Sequence, residues 1–485
     1  MKKPAKTGQQ NAIISAEGRR IRVLAFAGTG KTFSLVEYTK ERPLKRFLYL
    51  AFNKSVATEA QSRFPKNVVV KTTHGLGFPR FGSAFQHKLG NLREMDVITA
   101  LGLPRFEYTL AAGVLSVIRG FCASNLRRLS DLPRVEPDIL ALAQKFWALT
   151  TDPNSSVVTE HDTYLKLYQL SNPILNYDCL LFDEAQDANP VTSAIVLSQQ
   201  TQVVLVGDSH QQIYQFRGAK DALDMVDADI TLPLTQSFRF GQGIADVANA
   251  ILDEKGEPMK LSGTDSPVKY GQFFMNNGTL IGQTNMGLLD ATIGKKNVHF
   301  VGGLESYRIS LIEDAHALNV GRPANIRDRL LKNMASADDL RRYATETGDA
   351  DCKFLVKILD EYGRNLPDVV ASLRSNAVAR EDQAGWVATT AHRSKGLEWD
   401  RVHLVNDFAN PFEYQKEVQE TKGLPSSEAV ANINLAYVAV TRAKKELRLC
   451  DTLMDFCREK GLPVTDSSKP PPASPSKNAG QNLAV

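Results

Sequence analysis

The stretch GTGKT, from Gly28 to Thr32, has the residue types and spacing of a phosphate-binding loop. It stands between an apolar, strand-like run that ends near Phe26 and a helix-like run that begins at Lys31. Glycines in such a turn let backbone N–H groups surround phosphate oxygens; the lysine ammonium reaches the β- and γ-phosphates, and the threonine hydroxyl binds Mg²⁺. Ala25 occupies the position of the first glycine in the general pattern, so a glycine-rich turn without a ligand is the alternative.

A second stretch, CLLFDEAQDANP, supplies carboxylates directly after a buried strand. Asp183 at the strand end can hold Mg²⁺ through water, and Glu184 is placed to polarise an attacking water molecule. An acidic surface turn is the alternative, but the apolar strand and the upstream phosphate-binding loop disfavour it. Together the two stretches predict hydrolysis of a nucleoside triphosphate without indicating what that hydrolysis drives.

The loop VVLVGDSHQQIYQFRGA, from Val203 to Ala219, combines two kinds of chemistry. It begins as a buried parallel strand that ends in Gly-Asp, a place where α/β proteins bind ligands. Two glutamines, two aromatic residues and an arginine follow within a short distance. Amide and guanidinium groups recognise phosphates, whereas aromatic rings stack on flat bases. The composition of this loop therefore indicates contact with two kinds of chemical group.

The chain of 485 residues is long enough for two or more domains, and its 43% apolar and 23% charged content is typical of a globular protein. A net charge of +4 permits nucleic-acid binding without arguing for it. The five cysteines form no CxxC pair, which disfavours a structural zinc or iron–sulfur site and indicates a reducing compartment. The start, MKKPAKTGQQ, lacks the apolar run of a signal peptide, and no stretch approaches roughly 18 apolar residues, so we expect a cytoplasmic protein without membrane association.

Strand-like and helix-like runs alternate in two parts of the chain, which indicates an α/β fold with parallel sheets. In the first part we predict strands at Ile21–Phe26, Phe47–Phe52 and Val68–Lys71 and helices at Lys31–Lys40 and Ser55–Phe64. Helix-rich blocks without strands interrupt both parts and are interpreted as insertions. The tail is rich in Pro, Ser, Lys and Asn, which predicts disorder. The expected organisation is a first domain at 1–74 and 177–231 with a helical insertion at 75–176, a second domain at 232–303 and 383–455 with a small helical insertion at 304–382, and a disordered tail at 464–485.

Six motifs follow one another in a fixed order: AFAGTGKT, DEAQD, VGDSHQQIYQFRGA, QSFRF, TTAHRSKGLEW and LAYVAVTRAKKEL. In this order, from about Gln9 to Leu449, the chain resembles the superfamily 1 DNA helicases of the UvrD/Rep/PcrA type. The segments FLYLAFNKS, KTTHG and YVAVTRAKK are most similar to the helicase part of the F-box DNA helicases. We expect no F-box region, because Gln10 is already close to the N-terminus, and carry over no ubiquitin-ligase role. The resemblance implies two RecA-like P-loop NTPase motor domains with parallel sheets, each carrying a mainly helical insertion, that use ATP and Mg²⁺.

The resemblance also implies roles around the ATP site. A glutamine ahead of the phosphate-binding loop contacts adenine, and spacing favours Gln10, with Gln9 as the alternative. An aromatic residue stacks on adenine, an acid lies near the ribose, and a glutamine senses the γ-phosphate. Two arginines from the second domain stabilise the charge on the γ-phosphoryl oxygens, an effect worth about 10³–10⁵ in rate in the best-studied cases. The implied catalytic residues are Lys31, Glu184, Gln211, Arg239 and Arg442; the nucleotide-binding residues are Gln10, Ala27, Gly28, Thr29, Gly30, Lys31, Thr32, Phe238, Arg239, Glu398 and Arg442; and the metal-binding residues are Thr32 and Asp183.

A groove for single-stranded DNA is implied by the same resemblance. Aromatic side chains in such grooves stack on bases at roughly 1–3 kcal/mol per base, whatever the base sequence. Core packing at a sheet edge is the alternative for Tyr214 and Phe216, and ordinary packing is the alternative for the histidines. Phe216 replaces a usual Trp, and the shorter AFNKS segment could displace Phe52. The implied DNA contacts are Phe52, Asn53, Lys54, Thr72, Thr73, His74, Tyr214, Phe216, Arg217, Thr390 and His392.

The sequence thus predicts an ATP-dependent DNA helicase that acts on single-stranded DNA and on junctions of single- and double-stranded DNA. Movement from 3′ to 5′ is implied by the resemblance alone, and DNA repair or recombination control is the expected setting. One alternative is a translocase that strips proteins such as recombinase filaments from DNA with little unwinding. Another is a nucleotide-gated nucleic-acid-binding module, which the full set of ATP-site residues disfavours. We expect a monomer or weak oligomer, associated with the nucleoid in a bacterial or phage setting.

Overall fold

Two parallel sheets dominate the computed structural model, which describes residues 5–104, 106–214 and 221–467. The strands of the first sheet are β1 Arg20–Ala25, β2 Phe47–Ala51, β3 Val68–Thr72, β4 Cys179–Phe182, β5 Gln202–Gly207 and β6 Ile230–Leu234. Their order in space is β3-β2-β4-β5-β1-β6, and all neighbours are parallel. β2, β4 and nearly all of β5 are buried, as apolar central strands covered on both faces should be.

The helices of this half of the chain flank the sheet or form a separate block. They are α1 Gly8–Ser15, α2 Lys31–Lys40, α3 Lys54–Arg63, α4 Thr73–Gly77, α5 Glu94–Leu101, α6 Tyr108–Cys122, α7 Pro137–Thr151, α8 His161–Leu170, α9 Pro190–Leu197 and α10 Ala222–Met225. The predicted strands and helices of the first part lie within one residue of the observed ones. Between β3 and β4 the chain is helical, because buried positions such as Ala111, Val114, Leu115 and Ile118 recur at the spacing of a helix face.

The second half of the chain forms a seven-stranded parallel sheet and a separate two-stranded pair. Its strands are β7 Gln236–Gly241, β8 Ser262–Thr264, β9 Lys269–Phe273, β10 Gly278–Gly282, β11 Val298–Phe300, β12 Trp386–Thr390, β13 Trp399–Leu404, β14 Ala443–Arg448 and β15 Thr465–Ser467. The large sheet has the order β11-β12-β10-β13-β14-β9-β15, and β7 pairs with β8. Its helices are α11 Gln242–Glu254, α12 Asn285–Thr292, α13 Ile309–Asn319, α14 Arg329–Lys332, α15 Ala337–Thr347, α16 Ala350–Tyr362, α17 Leu366–Asn376, α18 Ala391–Ser394, α19 Phe412–Glu420, α20 Ser427–Val440 and α21 Asp451–Glu459.

Two expected limits differ from the structure. The expected start of the second domain at 232 falls inside β6, which pairs with β1 and so belongs to the first sheet through Leu234. The tail expected to be disordered from 464 begins with β15, which pairs with β9 at the edge of the second sheet. Both strands are held by backbone hydrogen bonds to residues far away in the chain, which local composition does not reveal.

The helical blocks between β3 and β4 and between β11 and β12 pack against each other. One hydrophobic core contains residues of α5, α6 and α7 together with residues of α13, α15, α16 and α17. At this contact the Tyr343 hydroxyl donates to the buried Glu94 carboxylate, and the Tyr343 ring lies edge-on to Tyr108 at 5.0 Å. Two ion pairs flank it, Arg93–Asp328 at 3.4 Å and Arg329–Asp96 at 3.1 Å. The two helical blocks therefore form one of the connections between the two halves of the chain, in addition to the segment around Thr235.

None of the helices among the described residues has the length and the apolar composition to cross a lipid bilayer. All five cysteines are buried and none is in a disulfide.

Candidate functional site

A cleft of about 760 Å³ lies between the two sheets, and both halves of the chain line it. One wall is formed at the carboxyl ends of β1, β4 and β5, the edge at which open α/β sheets bind ligands. The opposite wall comes from β7 and from the segment that follows α18. The sequence-predicted residues that line the cleft are Gly28, Thr29, Gly30, Lys31, Thr32, Phe52, Asn53, Asp183, Glu184, Gln211, Tyr214, Phe238, Arg239, Glu398 and Arg442.

The loop between β1 and α2 has a backbone that can surround a phosphate. Gly28 and Gly30 have φ values of +74° and +81°, in the left-handed region that favours glycine. A Cβ on Gly28 would stand 2.5 Å from Ser237 Oγ and 2.7 Å from Arg239 Cβ, so a larger residue would push the two walls apart. Ala25 is the last residue of the extended strand β1, which explains why a glycine is not needed there.

Asp183 is fixed at the end of β4 by two hydrogen bonds. Its Oδ2 accepts from the Tyr49 hydroxyl at 2.5 Å, and its Oδ1 accepts from the Glu184 backbone N–H at 2.9 Å. Burial raises the pKa of Asp183, the Glu184 charge adds to the rise, and Lys31 opposes it. A bound cation would favour the ionised form. The carboxylate of Asp183 and the hydroxyl of Thr32 are hard oxygen ligands that suit Mg²⁺.

Glu184 presents its carboxylate to the cleft between two ammonium groups. Lys31 Nζ lies 3.1 Å from Oε1, and Lys395 Nζ lies 3.5 Å from Oε2. The Gln186 amide also donates to Oε2 at 2.6 Å. Burial disfavours the charged form, but the two ammonium groups and the amide outweigh it and hold the pKa of Glu184 well below its usual range. Its backbone is left-handed, with φ of 52°, a conformation that costs a non-glycine residue of order 1 kcal/mol.

Gln211 and Arg442 meet from opposite walls of the cleft. Gln211 Oε1 accepts from Arg442 Nη2 at 3.2 Å, and Gln211 Nε2 donates to Asp208 Oδ2 at 2.6 Å. Arg442 is only 1% exposed; burial, and then the charge of Arg239, lowers its pKa. Its other guanidinium hydrogen bonds go to neutral oxygens. A buried cation bound to neutral acceptors favours an incoming anion such as a γ-phosphate.

Arg239 pairs with Glu398 beside the cleft. Its Nε donates to Glu398 Oε2 at 2.6 Å, and its Nη1 donates to the Thr441 backbone oxygen at 3.0 Å. By the family resemblance, Arg239 is expected to contact the γ-phosphate and Glu398 to lie near the ribose. A nucleotide between them would exchange this ion pair for contacts of its own.

Gln10 and Phe238 lie at the same end of the cleft as Gly30. A Cβ on Gly30 would stand 3.2 Å from Gln10 Nε2 and 3.9 Å from Phe238 Cδ2. Gln9 is engaged elsewhere, because it exchanges hydrogen bonds of 2.9 and 3.0 Å with Thr235. Gln10 is engaged as well, because its Oε1 accepts from the Thr7 backbone N–H at 3.1 Å, and the adenine contact stays a prediction.

Phe52 and Tyr214 stack on each other at the edge of the cleft. Their ring centroids are 5.2 Å apart and their planes differ by 23°. The Tyr214 hydroxyl donates to the His392 backbone oxygen at 3.2 Å, so this aromatic pair touches the second half of the chain. Phe216 and Arg217, the other predicted contacts on this loop, lie outside the described residues.

Three further predicted DNA contacts are helix caps. The side chains of Asn53, Thr72 and Thr390 each accept from the backbone N–H three residues on, at 2.9, 3.0 and 3.4 Å. They therefore have a local structural role of their own. His74 Nε2 lies 2.9 Å from Asp162 Oδ1, away from the cleft walls. The residues beside two of these caps are Lys54 and Thr73, the first positions of α3 and α4.

Three residues near the cleft were missed by sequence reasoning: Tyr49, Lys395 and Tyr437. The Lys395 ammonium contacts the buried Asp187 carboxylate and donates to the Gln211 backbone oxygen at 2.7 Å. A lysine inside the motif HRSKGLEW is a usable signal for such a role. Tyr49 stands inside the apolar run FLYLAF and gives no comparable signal.

A nucleotide held in this cleft would touch both sheets at once, which is the arrangement of P-loop NTPases built from two RecA-like domains. Residues 9–217 match the family described as AAA domain, and residues 353–452 match the UvrD-like helicase C-terminal domain. The chain belongs to the UvrD-type helicases of superfamily 1.

Several curated proteins that are similar in sequence to this chain are also DNA helicases. F-box DNA helicase 1 of Gallus gallus is 31% identical over 92% of this chain and 49% of that protein. F-box DNA helicase protein 1 of Schizosaccharomyces pombe is 30% identical over 92% of this chain and 57% of that protein. A probable DNA helicase II homolog of Mycoplasma genitalium is 23% identical over 66% of this chain and 50% of that protein. The chain thus spans about half the length of these curated relatives.

Among solved structures, the match to the PRRSV helicase covers 94% of this chain and 57% of that chain, with a TM-score of 0.34 and 14% identity.

Proposed function

We propose that the protein is an ATP-dependent DNA helicase that moves 3′ to 5′ on single-stranded DNA and unwinds duplex at junctions. The observation that carries this proposal is a single cleft in which Lys31 and Glu184 of one half face Arg239 and Arg442 of the other. Membership of the UvrD-type family supports ATP as fuel and DNA as track. The direction of movement rests on the family resemblance alone.

Hydrolysis in this proposal begins with an exchange of partners at Lys31. The Lys31 ammonium lies 3.1 Å from Glu184. A γ-phosphate would offer this ammonium a partner with more negative charge than the Glu184 carboxylate. Once Lys31 moves to the phosphate, the Glu184 carboxylate is a stronger acceptor for the attacking water. Thr32 and Asp183 would hold Mg²⁺, which neutralises phosphate charge when bound.

Coupling between hydrolysis and movement comes from the second half of the chain. Arg239 and Arg442 stabilise the transition state only while the cleft is closed, because both are anchored in the second half. ATP therefore favours closure, and hydrolysis followed by phosphate release removes that preference. Repeated closure and opening moves two DNA contacts relative to each other.

The proposed track starts at the aromatic pair of Phe52 and Tyr214. Bases that replace one ring of this stack would gain roughly 1–3 kcal/mol each, with little preference for sequence. His392 lies beside Tyr214 and brings the second half of the chain to the same track, with ring centroids 6.1 Å apart. We further propose that the blocks at 75–176 and 304–382 are insertions that carry no ATP-site residue.

The decisive experiment measures ATP hydrolysis with and without single-stranded DNA, followed by unwinding of duplexes with 3′ or 5′ tails. We expect DNA-stimulated hydrolysis and unwinding of the 3′-tailed duplex. Hydrolysis without any DNA stimulation would contradict the motor, and unwinding from 5′ tails would reverse the polarity. Displacement of a bound protein without strand separation would instead make the protein a stripping translocase.

DNA repair or recombination control is the cellular setting that we propose for this activity. Increased sensitivity of a deletion strain to DNA damage would support it, and rescue by the Glu184→Gln variant would contradict a role for hydrolysis.

A further inference from the structure

Helix α20 reaches across the cleft and touches the first half of the chain at three points. Asn434 Nδ2 donates to the Gln212 backbone oxygen at 2.7 Å. Tyr437 contacts the phosphate-binding loop, and Arg442, just beyond the helix, reaches Gln211. All three residues are buried, and their partners all belong to the first half of the chain. These contacts therefore exist only while the two halves are docked.

The Tyr437 hydroxyl makes two hydrogen bonds that the hydrolysis scheme above does not use. It accepts from the Ala27 backbone N–H at 3.2 Å and donates to Asp208 Oδ2 at 3.2 Å. The same Asp208 oxygen accepts from Gln211 Nε2 at 2.6 Å. Burial, and then the Asp208 charge, raises the pKa of Tyr437 well above its usual value, so the hydroxyl keeps the proton that it donates.

We propose that Tyr437 is a positioning residue for the γ-phosphate side of the ATP site. Its hydroxyl holds the phosphate-binding loop, Asp208 and Gln211 in the arrangement in which Arg442 also reaches Gln211. Tyr437 lies in the last turn of α20 and Arg442 lies two residues beyond its end, so docking of α20 sets both together and undocking releases both. This inference rests on the proposed ATP hydrolysis, and docking of α20 would be one reason why hydrolysis requires a closed cleft.

A chain of hydrogen bonds between buried polar groups also holds α20 against the loop that follows β5. Lys255 Nζ donates to Asn434 Oδ1 at 2.7 Å and to His210 Nδ1 at 2.8 Å. Because an ammonium group only donates, His210 Nδ1 accepts and Nε2 carries the proton toward Glu257 Oε2, 2.8 Å away. His210 is the residue before Gln211, and Gln212, whose backbone oxygen accepts from Asn434, is the residue after it. Helix α20 is therefore anchored on both sides of Gln211.

The first test compares Tyr437→Phe with the wild type and with Tyr38→Phe. Tyr38 is an equally buried tyrosine whose hydroxyl contacts Gln202 at 3.2 Å, and neither residue lines the cleft, so it controls for loss of a buried hydroxyl. We expect Tyr437→Phe to lower the DNA-stimulated kcat about 10- to 100-fold, as loss of a hydrogen bond to a charged group does, with a much smaller change in KM for ATP. Tyr38→Phe should keep the wild-type kcat. Equal kcat values for Tyr437→Phe and wild type would overturn the inference.

A second test separates positioning from a general structural role. If Tyr437 acts largely through Asp208 and Gln211, the double variant Tyr437→Phe/Gln211→Ala should lose clearly less kcat than the product of the two single losses, because the shared link can be lost only once and the extra loss comes from the Ala27 contact. Losses that multiply would mean independent roles and would overturn the inference. If Tyr437→Phe does not fold, Asp208→Asn breaks the same link and should show the same lack of additivity with Gln211→Ala. A wild type without ATPase activity would remove the proposed function itself, whereas an active wild type with multiplying losses removes only the role of Tyr437.

Discussion

Lys395 and Asp187 form a buried ion pair across the cleft, and removal of its cation has a calculable consequence. The two side chains are 9% and 0% exposed. Loss of one member of a buried pair typically costs about 3–5 kcal/mol, because the other charge stays buried without compensation. Lys395→Met keeps the length and the apolar bulk of the side chain and removes only the charge and its hydrogen bonds.

The size of that loss should depend on pH. Burial raises the pKa of Asp187 from 3.8 to about 6 even beside Lys395, and without the ammonium it must rise further. A carboxyl whose folded pKa lies above its unfolded value destabilises the fold only once the unfolded form is ionised, and most strongly above the folded pKa. We therefore expect Lys395→Met to lose about 3–5 kcal/mol of unfolding free energy at pH 8 and clearly less at pH 5.

Urea unfolding at both pH values measures this effect in Lys395→Met, Asp187→Asn and the double variant. The double variant should recover to within about 1 kcal/mol of the wild type, because position 187 is then neutral and Glu184 keeps Lys31 as its partner. Lys445→Met is the matched control, since Lys445 pairs with Asp400 at 2.5 Å but is 68% exposed and should contribute less than about 1 kcal/mol. A loss below about 1 kcal/mol for Lys395→Met at pH 8, or a double variant less stable than both single ones, would refute the reasoning.

Other changes probe the cleft and its surroundings. Glu184→Gln should lower DNA-stimulated ATP turnover about 10²–10⁴-fold through loss of the proton acceptor, with retained binding of a fluorescent nucleotide; nearly normal turnover would place the base elsewhere. Tyr214→Ala should raise the DNA concentration for half-maximal stimulation about 5- to 100-fold, the equivalent of one lost stacking contact, and no change would remove it from the track. Gln211→Ala should leave DNA affinity near normal but reduce the base pairs unwound per ATP, and an unchanged ratio would contradict its coupling role. Burial and two neighbouring cations lower the pKa of His403 from 6.5 to about 3. On acidification, His403 is therefore protonated in the unfolded chain at a higher pH than in the folded protein. That should cost about 2 kcal/mol of stability between pH 8 and pH 5, a slope that His403→Gln should flatten and that acid titration of urea unfolding measures.

The parts of the site that could be predicted are those that a few neighbouring residues specify. Gly28 and Gly30 are needed because their backbone is left-handed, and Asp183 follows a strand whose apolar run is unmistakable. Such requirements leave a trace in residue types over a short stretch.

Contacts between distant residues leave no such trace. Tyr437 lies 410 positions from Ala27, and Lys395 lies 208 positions from Asp187, so neither partner is implied by its own neighbours. Fold class was predictable because alternation of strands and helices repeats many times. The strand β15 was not, since Thr465–Ser467 pairs through backbone groups that every residue carries.

The predicted DNA contacts show why residue types alone leave roles open. Asn53, Thr72 and Thr390 are the residues that cap helices and also the residues that bind phosphates. Their predicted role in DNA binding stays a prediction, since capping alone accounts for their presence at these positions.

The core shared by the helical blocks between β3 and β4 and between β11 and β12 also restricts how the two halves of the chain can move. Besides the contacts across the cleft, the halves of the chain are joined by the segment around Thr235, which links β6 to β7, and by the contact between Tyr343 and Glu94. A body fastened at two points can still rotate about the line through them, but it resists twisting about other axes and sliding. While both fastenings hold, opening of the cleft is a motion with one principal degree of freedom. Under the proposed function, the opening that follows ATP hydrolysis would be channelled into this one swing of the two halves.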